Sequence, residues 1–600
     1  MPKESSMTAR LRLFTFALIS LTMLSLASLP SAAMAERFTP PQGLLDGYVR
    51  TFKLDAALRL HIAIELEPAD RTLEASATAI ANPASPMHRL HLSAAQFAQR
   101  FGRPAKDLDA LAAMFRDAGA TNVYVSRNRL VVGGDLSISE AEKAFTTHYD
   151  LWQRGERTIV APTDPLTLPV GRIRAVRGVI KAFTPRLADT IERPGLPTDF
   201  RGQWYSIARF RQAYDAADDG GAGTRIALIE DSSDRADPKD LIPFARRTPF
   251  DEPSPGPPLN PSHVVDQLIS PPVGEQVCGR DDKGQEPTMD VDAALTLAPA
   301  ATIEVRYDEV CVRGGEGTLE LQRTLDEDPV ADVIVLPFAV APLYAPLVQT
   351  FGPTPIAYLE AAMRGIPIVV PSGDDGAYGI RAADVEKPAV VYPCVLAFVI
   401  CAGGSSLGDR NGVLDEGPWN DGAHATGGGI SLEPRPPWQR APMEFSLVNG
   451  VVNRMVPDLA ADAAGHLFTF WHGYGAGGVG GTSESAAIVG AQLATINAAV
   501  PAERRILSPG DLYVLASAFP AAFRDIVGKN DRGYDDNALH PPLRPLPIGY
   551  KGVLPSPPPT IKGCVGIRPR GCDVDKGYDL VTGLGSLKER AAIFALKASP

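Results

Sequence analysis

The chain has no cysteine before residue 278, and its six cysteines are Cys278, Cys311, Cys394, Cys401, Cys564 and Cys572. The first part of the protein must therefore hold together without cross-links. No two cysteines have CxxC spacing, which speaks against a zinc site. An even count in an exported chain predicts disulfides, and neighbours in sequence are the simplest pairing: 278 with 311, 394 with 401, 564 with 572. An excess of positive charge is also lacking. Against 70 acidic side chains there are 58 Lys and Arg, a net charge of −12. Nucleic acid and anionic membrane are thereby disfavoured as main partners. Long apolar runs are scarce. One stands at the N-terminus, Leu13 to Leu29, preceded by Lys3, Arg10 and Arg12 and followed by Pro30 and Ala33-Met34-Ala35. A basic end, an apolar stretch and a small-x-small site predict a secretory signal, residues 1–35, cleaved after Ala35. No second run of that length follows, so no membrane association is expected after cleavage.

At 600 residues and 45% apolar content the chain is globular and too long for one core. Residues 36–190 read as a small α+β unit. Leu58 to Glu67 has strand character. Leu92, Phe97 and Phe101 share a helical face behind Ser93 as N-cap. Leu108, Leu111, Phe115 and Ala118 define another helix, stopped by Gly119. Strands around Val123–Val125 and Leu130–Val132 precede a helix from Ser137 to Phe145, and a Pro-rich connection spans Thr184 to Pro197. From about residue 200 short apolar strands (Arg225–Ile229, Ile303–Arg306, Val333–Leu336, Ile366–Val370) alternate with helices such as Ile356–Arg364. That pattern predicts a parallel sheet covered on both faces. Residues 541–560, rich in proline, read as a surface insertion.

Three segments carry chemistry. In Gly480-Gly481-Thr482-Ser483-Glu484-Ser485 a Gly-rich turn enters an apolar helix, Ser485 to Val500. Ser483 then sits at a helix N-terminus, where free N–H groups favour a developing oxyanion. Alone, the serine would be an N-cap. The lysine of a phosphate loop is absent. In Gln285-Glu286-Pro287-Thr288-Met289-Asp290, Glu286 and Asp290 are one helical turn apart and share a face. Like charges in contact resist double ionisation, so such a pair holds one proton and can act as a base in acid. Alone, acidic residues at a helix start are surface groups favoured by the dipole. Pro371-Ser372-Gly373-Asp374-Asp375-Gly376 follows a strand, where sites in open α/β sheets gather, although alone it would be a turn.

Together these segments resemble the sedolisins, the serine-carboxyl peptidases, including kumamolisin-like members. The likeness runs through LSAAQFAQRFG, EPTMDVDAALTLAPAA, VPSGDDG, TGGGIS, RMVPDLAADA, GGTSES, DIVGKN and KGYDLVTGLGS. The resemblance implies a subtilisin-like α/β fold, a parallel sheet between helices, preceded by a small ferredoxin-like α+β activation prodomain. It implies a peptidase domain over residues 191–600, with Ser483 as nucleophile, Glu286 as general base, Asp290 behind it and Asp374 in the oxyanion hole. An aspartate there donates only when protonated, which points to work in acid. The resemblance also implies one structural Ca²⁺, held by the side chains of Asp525 and Asp579 and the carbonyls of Ile526, Asp575 and Gly577. Asp575 replaces the family's glycine. Implied partners are protein or peptide substrates and the protein's own prodomain as inhibitor and chaperone; a secreted monomer is expected. Leu336-Pro337-Phe338-Ala339 departs from the family's substrate-pairing strand, since Pro337 has no N–H to offer. Glu230 matches an acidic position that extends the catalytic network in some relatives, but its Trp partner is missing. Two alternatives follow from these departures: an impaired relative used for binding, or an exported hydrolase with a non-protein substrate. His263 and His424 are the candidates for a conventional histidine triad.

Overall fold

The computed structural model describes residues 36–38, 49–53, 56–57, 59–154, 157–177, 181–183, 205–231, 236–246, 258–268, 285–308, 318–337, 339, 354–379, 390–410, 413–422, 424–440, 451–471, 474–477, 479–530 and 573–598. The expected signal segment, residues 1–35, the Thr184–Pro197 connection, Cys278, Cys311, Cys564, Cys572, Phe338 and residues 541–560 lie outside the described residues.

The N-terminal unit is a four-stranded antiparallel sheet with helical crossovers. Its strands are β1 (Arg59–Leu66), β2 (Thr121–Val125), β3 (Val131–Ser137) and β4 (Ile173–Arg177), arranged in the order β2-β3-β1-β4. Helices α1 (Leu73–Ala81), α2 (Ala94–Phe101) and α3 (Ala105–Ala118) connect β1 to β2, and α4 (Ile138–Phe145) follows β3. This is the ferredoxin-like order expected from the resemblance. Local signals hold at the helix ends. Ser93 and Ser137 each close a capping box, with Gln96 and Glu140. Gly119 ends α3 at φ +96°. Phe97, Phe101, Leu108, Leu111, Phe115 and Phe145 are buried together. Sequence reading missed α1 and a second sheet, Val49–Lys53 with Tyr149–Arg154, Arg157–Pro162 and Lys181–Phe183. Tyr149–Arg154 and Arg157–Pro162 are neighbours in sequence and pair with each other, whereas Val49–Lys53 joins them from far along the chain.

The C-terminal unit contains α5 (Ile207–Ala213), β5 (Arg225–Asp231), α6 (Pro238–Arg246), β6 (Val264–Leu268), α7 (Gln285–Leu297), β7 (Thr302–Asp308) and α8 (Thr318–Leu325). It continues with β8 (Val333–Val335), α9 (Ile356–Arg364), β9 (Ile368–Pro371), β10 (Ile400–Arg410), β11 (Val413–Pro418) and β12 (Leu459–Asp462). Helices α10 (Thr482–Ala499), α11 (Pro509–Ala518) and α12 (Glu589–Ala598) follow. The sheet runs β6-β7-β5-β8-β9-β10-β11, with β12 also paired to β10. Every pairing is parallel except that of β11. The strands are apolar on both faces: Ile226, Ala227, Leu228 and Ile229 are all buried. Helix α10 is buried almost throughout and packs against α7, which is buried from Pro287 to Leu297. Helices apolar on all sides belong inside a protein. Their packing is what brings two distant chain segments together at one end of the sheet. Cys394 and Cys401 are joined in a disulfide, as the neighbour rule expects.

The two units share a core. Leu319, Ile356, Leu359, Met363 and Phe398 of the C-terminal unit pack into the apolar cluster of the N-terminal one. Polar contacts frame this joint. The side chain of Asn128 donates to Gln322 Oε1 at 2.9 Å and to Glu360 Oε2 at 2.7 Å, all three buried. The Tyr124 hydroxyl donates to Asp326, and Arg89 pairs with Asp511 at 2.7 Å.

Candidate active site

Helix α10 starts at Thr482, three residues earlier than expected, and its N-cap is Gly481, not Ser483. Gly481 has φ +153°, a conformation that side chains rarely adopt, and a Cβ there would stand 3.0 Å from Asp374 Oδ2. Ser483 is thus the second helical residue, freed from capping. Its hydroxyl has one proton and two acceptors within reach. These are Glu286 Oε1 at 2.7 Å and the Pro337 carbonyl at 2.6 Å.

Glu286 is exposed in the first turn of α7, and Asp290 one turn further on is wholly buried. Burial, and then the neighbouring Glu286, pushes the Asp290 carboxyl well above the usual range. A hydrogen bond with Glu230 pulls the other way. Asp290 thus lies buried one helical turn behind the exposed Glu286. Glu230, near the end of β5, joins the pair without the family's Trp.

Asp374 follows β9 on the loop beside α10. Its Oδ1 accepts the Thr482 N–H at 2.8 Å and the Thr482 hydroxyl at 2.7 Å. Burial raises its proton affinity above the ordinary value, and the Thr482 bonds oppose that. Both Thr482 bonds fall on Oδ1 and not on Oδ2. The glycines of Thr426–Gly429 make the loop around it: a Cβ at Gly427 would fall 1.9 Å from the Ser372 carbonyl. Neither histidine candidate takes the base position. His263 Nδ1 lies 2.8 Å from the Pro299 carbonyl, and His424 Nδ1 lies 3.3 Å from Asp421 Oδ2.

Two groups escaped the sequence reading. Glu484, next to Ser483, is buried in the core. Its Oε2 accepts the Gly465 N–H at 3.2 Å, and burial, then Asp462, pushes its carboxyl well above the usual range. Asp292 on α7 is likewise buried near Asp240, with the same upward shift. For Glu484 the available signal was a single acid in an otherwise uncharged helix.

The expected calcium ligands are brought together by two short strands, Phe523–Arg524 and Ser586–Leu587, which pair antiparallel. Asp525 Oδ2 accepts the Gly577 N–H at 3.0 Å, and Asp579 Oδ2 accepts the Asp575 N–H at 3.2 Å. Burial lifts Asp579 to about 7 and also raises Asp525. Asp579 is buried and Asp525 exposed; two carboxylates with carbonyls from the same loops would be the oxygen donors that suit a hard cation. Ile526, Asp575 and Gly577 lie on the same two loops.

Known proteins resemble this chain. The family model described as the pro-kumamolisin activation domain matches residues 47–183. Sedolisin of Pseudomonas sp. (strain 101) is 25% identical over 529 residues, covering 83% of this chain and 87% of that protein. Xanthomonalisin of Xanthomonas sp. (strain T-22) is 23% identical over 477 residues; the match covers 70% of this chain but 55% of that longer protein. Among solved structures, Pseudomonas sedolisin complexed with pseudo-iodotyrostatin is 22% identical over 66% of this chain and 99% of that one, with a TM-score of 0.46. The N-terminal match and the likeness along most of the chain agree with the motifs: the chain carries a pro-kumamolisin-type activation domain and is similar to the sedolisins.

Proposed function

We propose that this chain is the precursor of a secreted serine-carboxyl endopeptidase that works in acid. The observation that carries the reading is the 2.7 Å contact between Ser483 Oγ and Glu286 Oε1, backed by buried Asp290. In this reading Glu286 takes the Ser483 proton as the hydroxyl oxygen attacks the scissile carbonyl, and an acyl-enzyme forms on Ser483. Protonated Asp374 donates to the oxyanion. Glu286 then returns the proton to the leaving amine, and water repeats the cycle to release the acid product. The Pro337 carbonyl competes for the Ser483 proton at 2.6 Å, so substrate must displace that contact. This competition is what favours the second reading, an impaired relative that binds peptides without cutting them.

Residues 36–190 would act as an inhibitory prodomain removed by self-cleavage, and residues 1–35 as the export signal. One Ca²⁺ would be held by Asp525, Asp579 and the carbonyls of Ile526, Asp575 and Gly577, tying the C-terminal loops together. The test is acidification of purified precursor with a quenched peptide substrate. The parent should mature and cleave with a bell-shaped pH profile, whereas Ser483→Ala should stay full length and inert. Maturation of purified Ser483→Ala would remove self-cleavage. An optimum near neutral pH would remove the carboxyl mechanism.

A further inference from the structure

The backbone that carries Asp374 is stitched to residues 418–427. The Gly427 N–H donates to the Gly373 carbonyl at 2.7 Å, and the Ala425 N–H to the Asp374 carbonyl at 3.0 Å. The Gly376 N–H returns a bond to the Ala425 carbonyl at 2.8 Å. The place of the Asp374 carboxyl therefore depends on where residues 418–427 hold its main chain. That segment follows β11, the edge strand of the sheet. Buried main-chain carbonyls at such an edge need donors from elsewhere. One side chain supplies two of them. Asn530 Nδ2 donates to the Pro418 carbonyl at 3.0 Å and to the Asn420 carbonyl at 2.8 Å. A primary amide has two N–H groups, and both are used here. Asn420 is 1% exposed and Asn530 6%, so water is a poor substitute. The backbones also approach closely: a Cβ at Gly417 would fall 2.5 Å from Asn530 Cα.

We propose that Asn530 is a positioning residue for the oxyanion hole, its amide fixing residues 418–427 and through them the loop of Asp374. The inference rests on the acid-peptidase reading above. Each link in the chain is a backbone contact. Asn420 is bridged to Ala425, and Ala425 to Asp375. The Thr426 N–H closes the same turn on the Trp419 carbonyl at 2.9 Å. From the other side, the Thr482 N–H and hydroxyl hold Asp374 Oδ1. The aspartate is thus set between α10, which grips its carboxyl, and residues 425–427, which grip its main chain. Without the Asn530 amide, the Pro418 and Asn420 carbonyls lose their donor, and the segment must shift to find others. A shift there displaces Asp374 relative to Ser483, and a donor that misses the developing oxyanion stabilises it less.

The experiment uses the matured enzyme in acid, a quenched peptide, and two inhibitors of one peptide sequence, one ending in an aldehyde and the other in the corresponding alcohol. The aldehyde carbon bonds to Ser483 Oγ, the serine proton passes to Glu286, and the new oxyanion enters the hole; the alcohol forms no such bond. Asn530→Ala should lower kcat roughly 10–100-fold with KM little changed. Its Ki for the aldehyde should rise by the same factor, and its Ki for the alcohol should not move. Asn530→Asp keeps the shape but loses donors, so it should act in the same direction and serves if Asn530→Ala does not fold. Val527→Ala, exposed on the same loop, should change neither Ki. A merely structural role would lower the active fraction, or weaken both inhibitors alike. Unchanged kcat and aldehyde affinity in the Asn530 variants, or equal weakening of aldehyde and alcohol, overturns the proposal. A parent that binds the aldehyde no better than the alcohol overturns the peptidase reading, and the Asn530 proposal falls with it.

Discussion

Asn128→Asp should loosen the grip of the prodomain in a pH-dependent way. In the parent, Asn128 uses its amide N–H group as the donor across the joint, at 2.7 Å from Glu360 Oε2 and 2.9 Å from Gln322 Oε1. Its Oδ1 is occupied within its own turn, accepting from the Ser126 hydroxyl at 2.6 Å and the Leu130 N–H at 2.8 Å. Aspartate keeps the shape and those turn bonds but replaces the donor with an acceptor. Asn128 and Glu360 are each 1% exposed, so water cannot relieve the clash. Losing a hydrogen bond to a charged group costs about 1.5–3 kcal/mol, and facing two partly desolvated carboxylates adds a similar amount. The joint weakens by about 3 kcal/mol or more, roughly 100-fold in Ki. Burial already raises the Glu360 carboxyl, and a second carboxyl raises it further. A group whose affinity for protons rises in the complex favours that complex at low pH and weakens it as pH rises through the raised value. The penalty should therefore shrink toward acid, where one carboxyl carries the proton and donates to the other. The assay titrates matured enzyme with separately produced residues 36–190, parent and Asn128→Asp, across the working pH range. A penalty that is absent, or that does not shrink in acid, refutes the reasoning.

Three further outcomes are expected. Gly481→Ala places a methyl 3.0 Å from Asp374 Oδ2 at φ +153°; kcat should fall by about 10²-fold with little change in KM, and unchanged kcat would mean that Asp374 does not shape the oxyanion hole. Glu484→Gln should raise Tm at pH 7 and leave it unchanged in strong acid. The folded carboxyl holds its proton above the usual range, so its contribution is present below the unfolded pKa and is lost as pH rises through the folded one; equal shifts at both pH values would contradict this. Chelation should lower the melting temperature of the parent but not of Asp525→Asn/Asp579→Asn, and metal analysis should find one Ca²⁺ in the parent alone.

Much of this protein is written locally. Capping boxes at Ser93 and Ser137, the stop at Gly119, the apolar strands and the helix Ile356–Arg364 depend on residues a few positions apart, and the structure has them where the sequence places them. The helical spacing of Glu286 and Asp290 put both on one face for the same reason. Start of α10 was misplaced because Thr482 and Ser483 look like caps, while the cap is a glycine whose conformation only the neighbouring Asp374 loop explains. Other features have no local cause. Ser483 meets Glu286 because two largely buried helices, α7 and α10, pack at one end of the sheet. Asp290 and Glu484 hold protons because the core removes water from them, a property of burial and not of residue type. The seating of Ala425 on the loop of Asp374 likewise depends on a backbone bridge between distant segments. Sequence determined the chemistry on offer and the elements carrying it. Tertiary packing decided which groups touch, and by excluding water decided which of them keep a proton.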